Sequence, residues 1–229
     1  MKVRKAPQSG KLGDIVAKRN RYGQYEMKLA PQKNRRTPAR RRARQRMSRF
    51  ARMWAKLTEE QRTGWRERAV EVQSRRRLAQ SGPLTGQTLF IKLNVVLALC
   101  GEEPLLDAPP IAWFRVNPVA GLAITNGKEG FALRLVVSEA PKQGIMVFGS
   151  PPRSVGRMST DTYTFLGMLP AGIEWKGEIT SLYVRKYGVP PAGTRVFIRT
   201  WPMENGWEGK KLARIASAVV PARGRGRGG

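Results

Sequence analysis

The sequence predicts an α+β chain in two parts. At the front stand a basic hairpin and a three-helix region; behind them follows a seven-stranded β-sandwich of immunoglobulin or fibronectin type III-like build. Three observations point there. Apolar residues recur at helical spacing between positions 37 and 100, seven short apolar runs with turn signals follow between 111 and 220, and the charge falls mainly on the front. Residues 1–80 hold 25 Lys plus Arg against 6 Asp plus Glu, a balance of +19, out of +27 for all 229 residues. Self-repulsion of that size is relieved when a polyanion neutralises it.

Within a basic arm, 1–36, short runs on either side of Asn20-Arg21-Tyr22-Gly23 predict a β-hairpin, with an alternating segment at 11–17. Lys18, Arg19, Arg21 and Tyr22 fall near its tip. Cations beside an aromatic ring suit phosphate contact and base stacking, and Tyr22 and Tyr25 serve equally well as hairpin packing. Arg35 and Arg36 close an extended basic linker.

The helical region, 37–103, opens with Thr37 as a cap and Pro38 at the first helical position. Ala39, Ala43, Met47, Phe50, Trp54 and Leu57 form one apolar face. Arg40, Arg41, Arg42, Arg44, Arg46, Arg49 and Arg52 take the remaining surface, and no acid lies between Asn34 and Thr58. An ordinary solvated helix mixes charge signs, so this one is expected to contact a polyanion.

Thr58-Glu59-Glu60-Gln61 is a capping box that starts a second helix running to about Ala79, with Trp65, Ala69 and Val72 as its buried stripe. Arg75, Arg76 and Arg77 would then sit in its last turns. The helix dipole accounts for one such cation, and a triplet again suits a polyanion. Thr85 or Gly86 opens a third helix through Cys100, stopped by Gly101.

A Pro-rich linker, 104–110, leads to strands expected at 111–116, 122–125, 131–137, 145–150, 162–169, 195–201 and 212–220. A short helix is expected near 178–187, where Ile179, Leu182, Tyr183 and Tyr187 have helical spacing before Gly188. Residues 221–229 read as a disordered Arg-Gly tail, whose Arg223, Arg225 and Arg227 suit nucleic acid bound by charge and stacking.

There is no histidine and one cysteine, which excludes intrachain disulfides, Cys/His zinc sites and His-based acid–base chemistry. No Walker loop or Gly-x-Ser-x-Gly elbow is present, and Cys100 is expected only to fill core space. The reading is a non-enzyme with no cofactor, no metal and no small-molecule substrate. The apolar stretch 89–100 is short and interrupted by Lys92 and Asn94, which predicts no membrane partner. The start of the chain lacks the apolar run of a signal peptide, so synthesis in the cytoplasm is expected.

The order Ser9-Gly10-Lys11-Leu12-Gly13, Arg19-Asn20-Arg21-Tyr22-Gly23, Arg36-Thr37-Pro38-Ala39, Trp54-Ala55-Lys56-Leu57-Thr58, Trp65, Leu84-Thr85-Gly86 and Phe90 to Asn94 resembles a group of uncharacterised bacterial and phage-associated proteins. In that group a basic hairpin-and-helix front precedes a fibronectin-like domain. Arg40-Arg41-Arg42 departs from the glutamine that follows Thr-Pro-Ala in such relatives, and strengthens the polyanion reading here. The resemblance implies an architecture and a virion or mobile-element setting, not a reaction.

The leading expectation is a structural protein of a nucleoprotein particle, a phage virion above all. Its front would bind DNA or RNA through the backbone, and its sandwich would contact neighbouring proteins or further copies of the chain. Two alternatives stay open: a protein bound to a ribosome or another large structured RNA, and a scaffold docked on an acidic protein surface.

Overall fold

The computed structural model describes residues 9–20, 23–29, 37–74, 82–127, 130–172 and 176–222. They form two units, one of Met1–Ile91 with Leu106–Ala108 and one of Lys92–Leu105 with Pro109–Gly229. Helices and sheets coexist, as an α+β chain requires.

The first unit opens with a three-stranded antiparallel meander, β1 (Gly10–Leu12), β2 (Ile15–Asn20) and β3 (Gly23–Lys28). The hairpin between β2 and β3 lies where the turn signal put it. The alternating segment at 11–17 is not one run, however. It folds back between Leu12 and Ile15, which face each other across the ladder. Gly13 at φ +56° supplies the left-handed residue that this two-residue turn needs.

Three helices follow. In α1 (Pro38–Trp54) the Thr37 side chain accepts from the Arg40 amide at 3.4 Å. In α2 (Glu59–Val70) both halves of the capping box form, with Thr58 accepting from the Gln61 amide and Gln61 accepting from the Thr58 amide. The third, α3 (Gly86–Cys100), starts after Thr85, which accepts from the Thr88 amide, and ends at Gly101 with φ +85°. Its residues up to Ile91 belong to the first unit and the rest to the second.

The core of the first unit gathers around Phe90. Phe50, Trp54 and Trp65 surround its ring with centroids 6.4, 5.6 and 5.2 Å away, and the Phe50 and Trp65 contacts are edge-to-face. Phe50, Leu57, Trp65, Ala69 and Leu89 are buried with it. Trp65 also donates its indole hydrogen to Leu106 O at 2.7 Å. Arg62 donates to the carbonyls of Trp54 and Ala55, satisfying the open C-terminal end of α1 with a cation, as the helix dipole favours.

α2 is shorter than its apolar pattern suggests. It stops at Val70 because the chain beyond it pairs with another segment: Leu84 donates to Val72 O, Ser74 to Gly82 O, and Gln73 bridges Pro83. Those bonds fix an extended backbone that a helix through Ala79 could not supply.

In the second unit, β4 (Val119–Gly127) and β5 (Gly130–Val137) form a hairpin. A six-stranded sheet is built from β6 (Gly144–Gly149), β7 (Arg153–Ser154), β8 (Thr164–Leu169), β9 (Thr194–Glu204), β10 (Trp207–Glu208) and β11 (Arg214–Val219). α4 (Thr180–Tyr187) precedes β9, as expected from its spacing, and ends at Gly188. The eleven-residue β9 is central, paired to β6, β7, β10 and β11, all antiparallel.

Period-two alternation divides the side chains of this sheet between two cores. Ile145, Val147, Leu166, Val196 and Ile198 pack with Leu133 and Leu135 of β5 and Ile179 and Tyr183 around α4. Met146, Trp201 and Met203 pack with Val96 and Leu97 of α3, and Phe148 stacks on Trp201 at 4.0 Å. The Asn205-Gly206 turn between β9 and β10 has φ of +49° and +79°, and a Cβ on Gly206 would fall 2.6 Å from Leu93 O. Glycine is therefore required there twice over.

Six of the seven expected strands coincide with β4, β5, β6, β8, β9 and β11. Residues 111–116 instead form an irregular exposed segment, with Trp113 82% exposed. Prolines at 109, 110 and 118 bracket it, and at Met203 both sides of β9 are already taken by Gly144 of β6 and Glu208 of β10. Buried Asn117 ends the segment by donating to Thr200 O and Oγ1 and accepting from the Val119 amide. No helix among the described residues is long and apolar enough to cross a membrane.

Truncating Phe90 to Ala removes the ring that three aromatics share, and is expected to cost the first unit about 3–5 kcal/mol. Urea unfolding followed by tryptophan fluorescence would show the loss as an early transition absent from the wild type.

Candidate nucleic-acid interface

α1 is helical along its whole length but packed along only part of it. Among residues 38–49 every side chain is exposed except Arg46, which is half-buried. Ala39, Ala43 and Met47 carry the apolar period, yet Met47 is 55% exposed, while Phe50 and Leu57 further along the same stripe are buried. The expected packing face thus exists only in the C-terminal part of the helix. Twelve residues at 1.5 Å each leave about 18 Å of helix without a hydrophobic partner.

Of the nine expected site residues that the structure describes, six lie on this segment. Arg40, Arg41, Arg42, Arg44 and Arg49 are exposed on it, and Arg52 is exposed one turn further on, where its Nε donates to Ser48 O at 3.3 Å. Among the described residues, Arg40, Arg41, Arg42, Arg46, Arg49 and Arg52 form no ion pair. The arginines of α2 behave differently. Arg62 and Arg66 both pair with Glu59, at 3.4 and 2.5 Å, and Arg68 pairs with Glu71 at 2.8 Å. The Arg66 hydrogen bond and charge hold the Glu59 carboxyl below its ordinary range.

Arginine and alanine favour helix, and the Thr37 cap contributes about 1 kcal/mol. Opposing them, Arg40/Arg44 and Arg42/Arg46 are like-charge pairs four residues apart, each destabilising by about 0.2–0.5 kcal/mol. Arg40 and Arg41 also stand in the first turn, at the positive end of the dipole. Bound anions remove both penalties.

The meander carries a second, smaller basic surface. Lys18 and Arg19 are exposed but lie on opposite faces of β2, since they are consecutive in a strand. Lys18 stands across from Tyr25, and Lys11 across from Val16 on that same face, with Met27 opposite Val16. Lys11 was not among the residues singled out from the sequence. Its place on the same face as Lys18 and Tyr25 follows from the β1–β2 register, which the turn at Gly13-Asp14 sets. Arg21, Tyr22, Arg35, Arg36, Arg75, Arg76, Arg77, Arg223, Arg225 and Arg227 lie outside the described residues. Because α2 ends at Val70, its dipole no longer accounts for any charge in the 75–77 triplet; Arg68 fills the last turn instead.

The remaining reactive groups are placed as packing. Cys100 lies half-buried against the Val96, Leu97 and Met146 cluster; burial first, then the Glu102 and Glu208 charges, push its thiol up to about 12. Ser150 is buried, its hydroxyl donating to Pro151 O and its carbonyl accepting from Tyr183. Among the described residues no group of three or more His, Cys, Asp or Glu side chains could hold a metal ion.

Comparison with protein-family models, with curated proteins and with solved structures returned no match.

Two outcomes follow. Hydrogen exchange of amides in the free part of α1 should slow as salt or inorganic polyphosphate is added, while amides near Phe90 stay unchanged; equal rates at low and high salt would refute the repulsion account. Alkylation of Cys100 in the native protein at pH 8 should run roughly three orders of magnitude slower than for a free thiol, because its thiolate fraction is that much smaller, and should rise steadily with pH up to about 12.

Proposed function

We propose that this chain is a nucleic-acid-binding structural protein whose arginine helix grips phosphates. The observation that carries the reading is the unpacked half of α1, where arginines stand exposed on about 18 Å of helix with no hydrophobic partner. Guanidinium forks match phosphate oxygens bidentately, and each phosphate engaged releases condensed counterions. Lys11, Lys18 and Tyr25 on one face of the meander add cations beside an aromatic ring, a combination suited to backbone contact with stacking. Acidic protein surfaces offer charge but neither the dense, regular phosphate spacing nor bases to stack on.

The second unit is the part proposed to meet protein neighbours. Its reading as a variant immunoglobulin or fibronectin-like sandwich is supported by the shared core between the β4–β5 hairpin and one face of the six-stranded sheet. The short strands β7 and β10 and the inserted α4 depart from the usual seven-strand scheme. A virion is the setting that the resemblance of the front half suggests, and assembly around a packaged genome would use both halves.

Filter binding to duplex and single-stranded nucleic acid at several salt concentrations tests the grip. With about six arginines engaged on a duplex, log K should fall against log salt with a slope of roughly −5. Replacing Arg40, Arg41 and Arg42 with Ala should weaken binding several-fold and flatten that slope. Salt-independent or absent binding would sink the proposal and direct the search to an acidic protein.

A further inference from the structure

One face of the six-stranded sheet in the second unit is closed by the core it shares with the β4–β5 hairpin. The register of β9 defines what stands on the other face. Arg153, Arg195 and Val219 form one row across β7, β9 and β11, and Phe148, Arg199 and Ile215 form another across β6, β9 and β11. Around Met146 and Trp201 this face is covered by α3. Along β11 it is open: Ile215 is 60% exposed, Ser217 and Val219 are exposed, and Ala216 on the reverse side is buried.

The open part combines arginines that lack carboxylates with apolar side chains that lack cover. Arg153 and Arg195 stand directly opposite each other in the ladder, which is unfavourable for two like charges. Arg195 is held by its Nε, which donates to the carbonyl of exposed Val155 at 3.1 Å. Arg199 is held by the rings of Tyr163 and Trp201, with centroids 5.9 and 5.5 Å from its guanidinium carbon. Among the described residues none of the three arginines forms an ion pair, and neither does Asp161, whose charge reaches Tyr163.

Positioned guanidinium groups set among aromatic and apolar side chains have the composition of a protein-binding surface. Phosphates would answer the charge but leave Val155, Ile215 and Val219 against a polyanion. A segment with both carboxylates and apolar side chains answers both. Spacing adds a constraint: Arg195 and Arg199 are four residues apart on one strand, about 13 Å at about 3.3 Å per residue, and a second extended chain covers that span in four residues with both side chains on one side. Resting on the proposal that the second unit meets protein neighbours, we infer that this open sheet face docks an extended acidic segment of a partner protein. Carboxylates four residues apart in that segment pair with Arg195 and Arg199, the first of them also relieving the Arg153–Arg195 repulsion. The apolar side chain between them lies against Ile215 and Val219.

The test uses the full chain and a synthetic peptide repeating Glu-Thr-Val-Thr, with a photoreactive group at its centre, beside a peptide of the same composition whose glutamates are adjacent. Cross-links to the spaced peptide, mapped by mass spectrometry, should fall on β9 and β11, and the control should bind several-fold more weakly. Two double variants probe the face: Arg195→Gln with Arg199→Gln, and Ile215→Thr with Val219→Thr, the latter at exposed positions where threonine keeps the strand. Each should lose about fivefold or more in peptide affinity, the loss expected of a truncated interface anchor, while duplex DNA binding in the filter assay stays unchanged. Cross-links confined to α1, or an equal loss of DNA binding in the arginine variant, would overturn the protein-docking face. Cross-links elsewhere on the second unit would overturn this face and leave that unit's meeting with protein neighbours standing, whereas no binding of either peptide would count against both.

Discussion

The first unit depends on the packing of Phe50, Trp54 and Trp65 around Phe90. Edge-to-face aromatic contacts add about 0.5–1.5 kcal/mol each beyond the area they bury, so one ring that three others share holds α1, α2 and the start of α3 together. Arg62 completes the join by bonding the last carbonyls of α1. The anchor is confined to the C-terminal half of α1. Where the aromatics stop, hydrophobic support stops, and the rest of the helix is left to its cap and its propensity.

That division gives the arginines their character. Charges beside a packed core find carboxylates, as Arg66 and Arg68 do with Glu59 and Glu71. On the exposed half of α1 no acid is near in sequence, and like-charge repulsion along the helix works against its cap and propensity. A helix in this condition is stabilised by whatever anion it meets, so binding and helix stability are linked. The rigid anchor at Phe90 limits the ordering cost of that binding to a few turns.

The second unit solves a different problem with β9. A strand of eleven residues with partners along both edges fixes the register of everything around it, and alternation along it feeds two cores at once. α4 is held to this sheet by two phenol hydrogen bonds, Tyr183 to Ser150 O and Tyr187 to Gly149 O, which satisfy carbonyls at the end of β6. Segment 111–116 has the apolar content of a strand but pairs with no strand among the described residues, and Trp113 remains in water.

Much of this was legible in the residues themselves. Caps at Thr37 and Thr58, the stop at Gly101, the Asn205-Gly206 turn and the short helix before Gly188 are local chemistry, settled by a few neighbouring atoms. The uneven charge and the missing acids around α1 are likewise facts of sequence. The sequence alone could not tell that the apolar stripe of α1 is buried at Phe50 and bare at Met47, or that Val72 to Ser74 pair with 82–84 and end α2 early. Nor could it put Lys11 on the same face of the meander as Lys18 and Tyr25, which the β1–β2 register decides. Periodicity states which side chains share a face, because that follows from the backbone repeat of a single element. Whether the face is covered depends on atoms distant in the chain, and only tertiary packing brings those within contact.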